Sequence, residues 1–166
     1  MYRFPTSVIT VAIVAVTACS KPTGTPTSAA PAAAPQPGGL LNPLIEATTF
    51  SPALKVDLKG STKSASGLYY RDVTVGSGTP VAAGTRVSVT YDGAFADGTR
   101  FEAGPYAFVL GGRSVIAGWD EGIVGMRPGG TRQLIIPPDL AYGPNGSGKI
   151  PGNAVLVFSV ELVRLN

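Results

Sequence analysis

Apolar and polar residues alternate along several stretches of the C-terminal two-thirds of the chain, and each alternation predicts a strand whose side chains point in turn to a core and to solvent. These stretches are residues 68–75, 86–95, 106–110 and 131–136, the second with Val87, Val89 and Tyr91 on one face. A fifth, 154–165, sets Leu156, Phe158, Val160 and Leu162 on one face, while Val155, Val157 and Val163 make the other largely apolar too. A strand apolar on both sides belongs in the middle of a sheet. One stretch has a longer period: Val115, Trp119 and Ile123 recur at helical spacing, which predicts a short helix over 115–124. Asp97-Gly98 marks a tight turn and the Gly- and Pro-rich run 143–152 a long loop. The expected fold class is α+β, an antiparallel sheet with one helix against it and a site between helix, sheet and those loops.

The N-terminal part reads differently. Arg3 precedes an apolar run over 8–16, broken only by Thr10, which predicts an export signal. The run is far short of the roughly 20 apolar residues a membrane span needs. Val16, Thr17, Ala18 and Cys19 resemble the bacterial lipoprotein signal, in which a cysteine after small residues is cleaved on its amino side and acylated. Residues 1–18 are then a signal peptide and Cys19 the lipidation site; the alternative is an ordinary secretory signal that leaves a free thiol. Residues 20–39 hold no apolar side chain larger than alanine, so 19–39 is expected to be a Pro/Ala-rich tether, about 60 Å long if extended. In 40–65, expected as an N-terminal extension of the domain, Leu54, Val56 and Leu58 alternate with Lys55 and Asp57 in a strand-like run without candidate chemistry. Residues 66–166 have the size of one domain. The expected address is the cell envelope, anchored through lipid. With two membranes it is the outer membrane, facing the periplasm, because Ser20 does not resemble an inner-membrane retention signal.

Composition narrows the chemistry. The chain has no histidine and one cysteine. Ser-His-Asp and Cys-His catalysis, a structural zinc site and an internal disulfide are therefore excluded, and no metal or cofactor is expected. Formal net charge is +3, or +2 once Arg3 leaves with the signal, and Lys and Arg form no cluster, so nucleic acid is not an expected partner.

More specific is the string Val115, Ile116, Gly118, Trp119, Gly122, Gly125, Met126, Gly129 and Gly130, which resembles the FKBP family of peptidyl-prolyl cis-trans isomerases. The stretch 87–91 with Gly93, the turn Asp97-Gly98 leading into Phe101, Phe108-Val109-Leu110-Gly111, 137–143 and the closing 154–165 match in the same order. The resemblance implies a half-open antiparallel β-sheet wrapped around one short α-helix, with a pocket between them for proline-containing polypeptides.

Position by position, the resemblance implies a catalytic set of Tyr91, Phe101, Glu102, Trp119, Tyr142 and Phe158, with Trp119 as floor and Glu102 at the family's acidic position. It implies substrate contacts from Tyr106, Val115, Ile116 and Ile150, with Tyr142 and the Ile150 backbone hydrogen-bonding substrate carbonyls or an immunosuppressive macrolide. Ordinary core packing is the competing reading for each ring, preferred for Phe108 and open for Tyr106. Departures from the family are Glu102 where aspartate is common, a short connection from Phe101 to Tyr106, and a shorter loop bearing Gly146, Ser147 and Lys149. With neither a chaperone flap after Tyr142 nor a helical dimerisation arm, a monomer is expected. The implied activity is acceleration of X-Pro rotation in unfolded or envelope proteins; the alternative is a non-catalytic proline-segment binder or holdase on the same fold.

Overall fold

The strand patterns assemble into one antiparallel sheet in the computed structural model, which describes residues 43–166. The expected signal peptide 1–18, Cys19, the tether 19–39 and the first residues of the extension lie outside the described residues. The strands are β1 Thr62–Lys63, β2 Tyr69–Thr74, β3 Arg86–Phe95, β4 Arg100–Val109, β5 Thr131–Ile136 and β6 Leu156–Leu165. Their order across the sheet is β1-β2-β5-β6-β3-β4. β6 thus runs between β5 and β3, as its two apolar faces require. β3 and β5 have the expected ends, whereas β4 begins six residues earlier than the expected 106–110. Its first half contains Gly104 and Pro105, which are poor strand formers; pairing of Tyr91 with Gly104 and of Thr90 with Pro105 holds them in place. Proline is tolerated there because β4 is an edge strand. At Asp97-Gly98, which joins β3 to β4, Gly98 takes φ 91°, a turn conformation that side chains disfavour.

Two short helices accompany the sheet, α1 Pro43–Ala47 and α2 Ala117–Gly122. The predicted helix 115–124 is shorter in fact because Ile116 is extended (φ −61°, ψ 147°) and caps its start. Gly118 and Gly122 let α2 lie close on β5: a Cβ on the first would stand 2.5 Å from Ile136, and on the second 2.7 Å from Leu134. Two glycines weaken an isolated helix by about 1 kcal/mol each. The close approach is what they provide in exchange.

Alternation along β5 and β6 divides the apolar residues between two faces. Leu134, Ile136, Leu156, Phe158, Val160 and Leu162 pack with Trp119 and Ile123 of the α2 region. On the other face Tyr69, Ile135, Val155 and Val157 are covered by Ile45, Phe50, Leu54, Val56 and Leu58. Residues 43–58 are thus a strap laid across the sheet. The strand-like run within it is no strand: Pro52–Leu54 is a 3-10 turn and Lys55 is left-handed at φ 50°. Its alternation survives as burial only, with Leu54, Val56 and Leu58 half-buried and Lys55 and Asp57 exposed.

Polar groups fasten the strap. The Gln133 side-chain amide donates to the Leu54 carbonyl at 2.8 Å and the Arg71 guanidinium to that of Lys55 at 3.1 Å. The Glu46 carboxylate accepts from Lys63 at 2.7 Å and from the Tyr69 hydroxyl at 2.6 Å. Those two hydrogen bonds, that of Lys63 first, hold the Glu46 carboxyl below the usual carboxylate range.

Ile45 is fully buried at the centre of this second core. Ile45→Ala is expected to lower unfolding free energy by about 2–4 kcal/mol in urea titration.

Candidate active site

Three strands, α2 and one loop enclose a cavity of about 250 Å³ on the helix side of the sheet. β3 contributes Tyr91, β4 contributes Glu102 and Tyr106, and β6 contributes Phe158. Ser114, Val115 and Ile116 lead into α2, which adds Trp119, and Tyr142 follows the 3-10 turn Pro138–Leu140. Trp119 is the hub of the rings, 4.9 Å from Tyr91, 5.3 Å from Phe158 and 5.8 Å from Phe108 between centroids, the first two edge to face. Its indole N–H is buried and meets no acceptor among the described residues.

Eight of the ten expected pocket residues line this cavity: Tyr91, Glu102, Tyr106, Val115, Ile116, Trp119, Tyr142 and Phe158. Phe101 does not; it stands behind the wall, edge-on to Phe158 at 5.6 Å and beside Phe95 at 4.9 Å. A one-residue bulge explains its placement. The β3–β4 pairing passes from Gly93 opposite Glu102 to Ala94 opposite Arg100, so Phe101 is the extra residue and is turned to the same side as Glu102.

Gly93 makes room for these rings: a Cβ there would lie 2.7 Å from Phe158 and 2.8 Å from Phe101. Gly93→Ala must part them, at a cost of about 1–3 kcal/mol. We expect a lower melting temperature, measured by thermal unfolding.

Ile150 also lies off the cavity wall. Its N–H donates to the Ser147 carbonyl and its carbonyl accepts the Ser147 N–H, both at 2.9 Å, so that amide is bonded within its own loop. Ile116 itself lines the cavity, and its amide donates to no group among the described residues. Asp120 fixes the approach to this stretch by accepting from the Gly111 N–H at 2.7 Å and the Arg113 N–H at 3.0 Å.

Burial, and then the charge of Glu102, push the phenols of Tyr91 and Tyr142 above their ordinary value of 10.0. Both therefore remain neutral donors at physiological pH. At the far end of α2, Arg132 is buried (7% exposed) and meets the Asp72 carboxylate at 2.7 and 3.0 Å. It also donates to the carbonyls of Gly122 at 2.9 Å and Val124 at 3.1 Å, and it stacks on Tyr70. Sequence reasoning missed Ser114, Asp120 and Arg132. For Arg132 a signal existed, because it stands in phase with the inward-facing Leu134 and Ile136 and so needs a buried partner.

Comparison with known proteins agrees with this geometry. Residues 77–163, over half of the chain, match the FKBP-type peptidyl-prolyl cis-trans isomerase family. An FK506-binding protein 4 of Dictyostelium discoideum is 48% identical over 102 residues, covering 59% of this chain and 28% of that protein. The crystal structure of FkpA from Escherichia coli superposes with TM-score 0.61 at 41% identity, over 65% of this chain and 52% of that one. A peptidyl-prolyl cis-trans isomerase from Pseudomonas syringae pv. tomato gives TM-score 0.61 at 35% identity, over 69% and 86%. The chain spans under a third of the length of the first curated relatives it matches.

Proposed function

The chain belongs to the FKBP-type peptidyl-prolyl cis-trans isomerase family, and on that premise we propose that its aromatic cavity accelerates rotation about X-Pro bonds in unfolded polypeptides. The observation that carries this reading is the cavity itself: rings line it, while Tyr142, 36% exposed, and the Ile116 amide supply donors on its wall.

Rotation is opposed by a barrier of about 18–20 kcal/mol from amide resonance, although cis and trans X-Pro differ by only about 0.5–1 kcal/mol. No bond is made or cut. In the twisted transition state the nitrogen loses conjugation and the carbonyl becomes less polar than in the planar amide. An apolar cavity favours that form, and preferential binding of the transition state is catalysis without an acid, a base or a nucleophile. In this mechanism proline packs on Trp119 between Tyr91 and Phe158. The Tyr142 hydroxyl and the Ile116 N–H hold the flanking chain, which confines rotation to one bond. Phe101 acts indirectly, by fixing Phe158.

The same cavity is the proposed site for a macrolide of the kind the relatives' name, FK506-binding protein, implies. From the pattern of residues 1–39 we further propose acylation at Cys19 and work on envelope proteins.

Isomerisation of X-Pro tetrapeptides by the purified protein, followed by exchange NMR, tests the reading. Turnover should exceed the uncatalysed rate, and Tyr142→Phe should lower kcat/KM about three- to tenfold, the worth of one hydrogen bond. Because both phenols are shifted upward, kcat/KM should stay level between about pH 6 and 9 and fall only above about 10. Binding without turnover would leave a proline-segment holdase.

A further inference from the structure

Among the described residues Glu102 is the only carboxylate on the cavity wall, and no cation pairs with it. The ion pairs present join Lys63 to Glu46, Arg71 to Asp57, Arg100 to Asp92 and Arg132 to Asp72. Arg100, two positions before Glu102 on β4, is thus committed to Asp92. Arg113 precedes Ser114 of the cavity wall and Lys149 lies in the loop that follows Tyr142, and neither is an ion-pair partner of Glu102. The other lining residues are phenols, an indole, a phenyl ring, a hydroxyl and two aliphatic side chains. Burial first and the Glu102 charge next raise the Tyr91 and Tyr142 hydroxyls, and hydrogen bonding to Glu102 raises that of Tyr91 further.

Such a cavity presents one negative charge among aromatic faces, hydrogen-bonded by Tyr91 but paired with no cation among the described residues. A carboxylate beside low-dielectric walls attracts an opposite charge more strongly than it would in bulk water and repels a like one. Ring faces add to the attraction for a cation. We infer that Glu102 selects proline segments carrying lysine or arginine immediately beside the proline and disfavours those carrying aspartate or glutamate there. This rests on the isomerase reading and names the substrate class it prefers.

Two tetrapeptide series decide it, one varied before the proline and one after, each through Lys, Arg, Leu, Gln and Glu. For the natural protein at low ionic strength, kcat/KM for Lys over Glu should be about fivefold at one flank at least, with the neutral polar Gln between. Salt near 0.5 M should bring the ratio towards one. Glu102→Gln should abolish the preference and Glu102→Lys should invert it, each ratio being read within one variant so that a change in overall rate does not matter. A ratio near one at both flanks in low salt, or a ratio unchanged in Glu102→Gln, overturns the inference. If the variants do not fold, the natural protein's salt dependence decides, and a ratio insensitive to salt overturns it. If no peptide is turned over, the isomerase reading fails. The charge preference is then judged from peptide affinities, which fluorescence of Trp119, the chain's one tryptophan, reports from within the pocket.

Discussion

Trp119→Ala is expected to lower kcat/KM for a Leu-Pro peptide about thirtyfold, which corresponds to about 2 kcal/mol of transition-state binding. A tryptophan side chain buries about 150–250 Å². At about 25 cal/mol per Å² its full burial is worth about 4–6 kcal/mol. Trp119 is only 5% exposed beneath Tyr91, Phe108 and Phe158, so substrate covers little further area on it and the expected loss comes mainly from removal of the cavity floor. Truncation would also admit water beneath the amide, and a wetter site loses its preference for the less polar twisted form. The variant should be less stable by about 3–5 kcal/mol, so turnover must be compared at equal folded concentration and low temperature. Trp119→Phe keeps an apolar floor and should lose much less. A folded Trp119→Ala protein within twofold of the natural rate would mean that proline sits elsewhere in the cavity.

Arg132→Ala should be among the most destabilising single changes in the domain, lowering unfolding free energy by about 3–5 kcal/mol. The guanidinium is buried, and its removal leaves two carbonyls at the end of α2 without this donor and a carboxylate without its partner. Asp72→Asn should be much milder, about 1 kcal/mol, because that side chain is 39% exposed and water can replace the carboxylate. Urea titrations of the two variants measure this asymmetry. Equal losses would show that the ion pair matters more than the bonds to Gly122 and Val124. Since α2 also carries Trp119, the remaining folded Arg132→Ala molecules should turn peptides over more slowly.

Legibility in the sequence followed the strength of the local physics. β3 and β5 were readable to the residue because each alternates against a packed face, and β6 announced its central place through apolar residues on both sides. The first half of β4 was not readable, since nothing local marks Gly104 and Pro105 as strand; only pairing with β3 does. The strap gave a true signal with the wrong cause: Leu54, Val56 and Leu58 alternate because they lie on the sheet, not because they pair with a strand. In the site, the rings that touch the cavity were found by motif. The roles of Phe101 and Ile150 depended on which way a bulge turns a side chain and on whether an amide is already bonded, and neither is written in residue type. Arg132 escaped because its partners, Asp72 on β2 and the carbonyls of Gly122 and Val124 at the end of α2, are brought to it only by the fold.

The edges of the sheet bear on the company this protein would keep. Unfolded chains expose strand segments in search of a partner, and an open sheet edge invites them to add on as another strand. At one edge β1 has only two residues, and at the other β4 carries Pro105, which has no N–H to offer to either side. A client should therefore find little purchase along the sheet margins, leaving the cavity as the place of contact. On the proposed activity this would let the protein release each client instead of being drawn into the client's own misassembly.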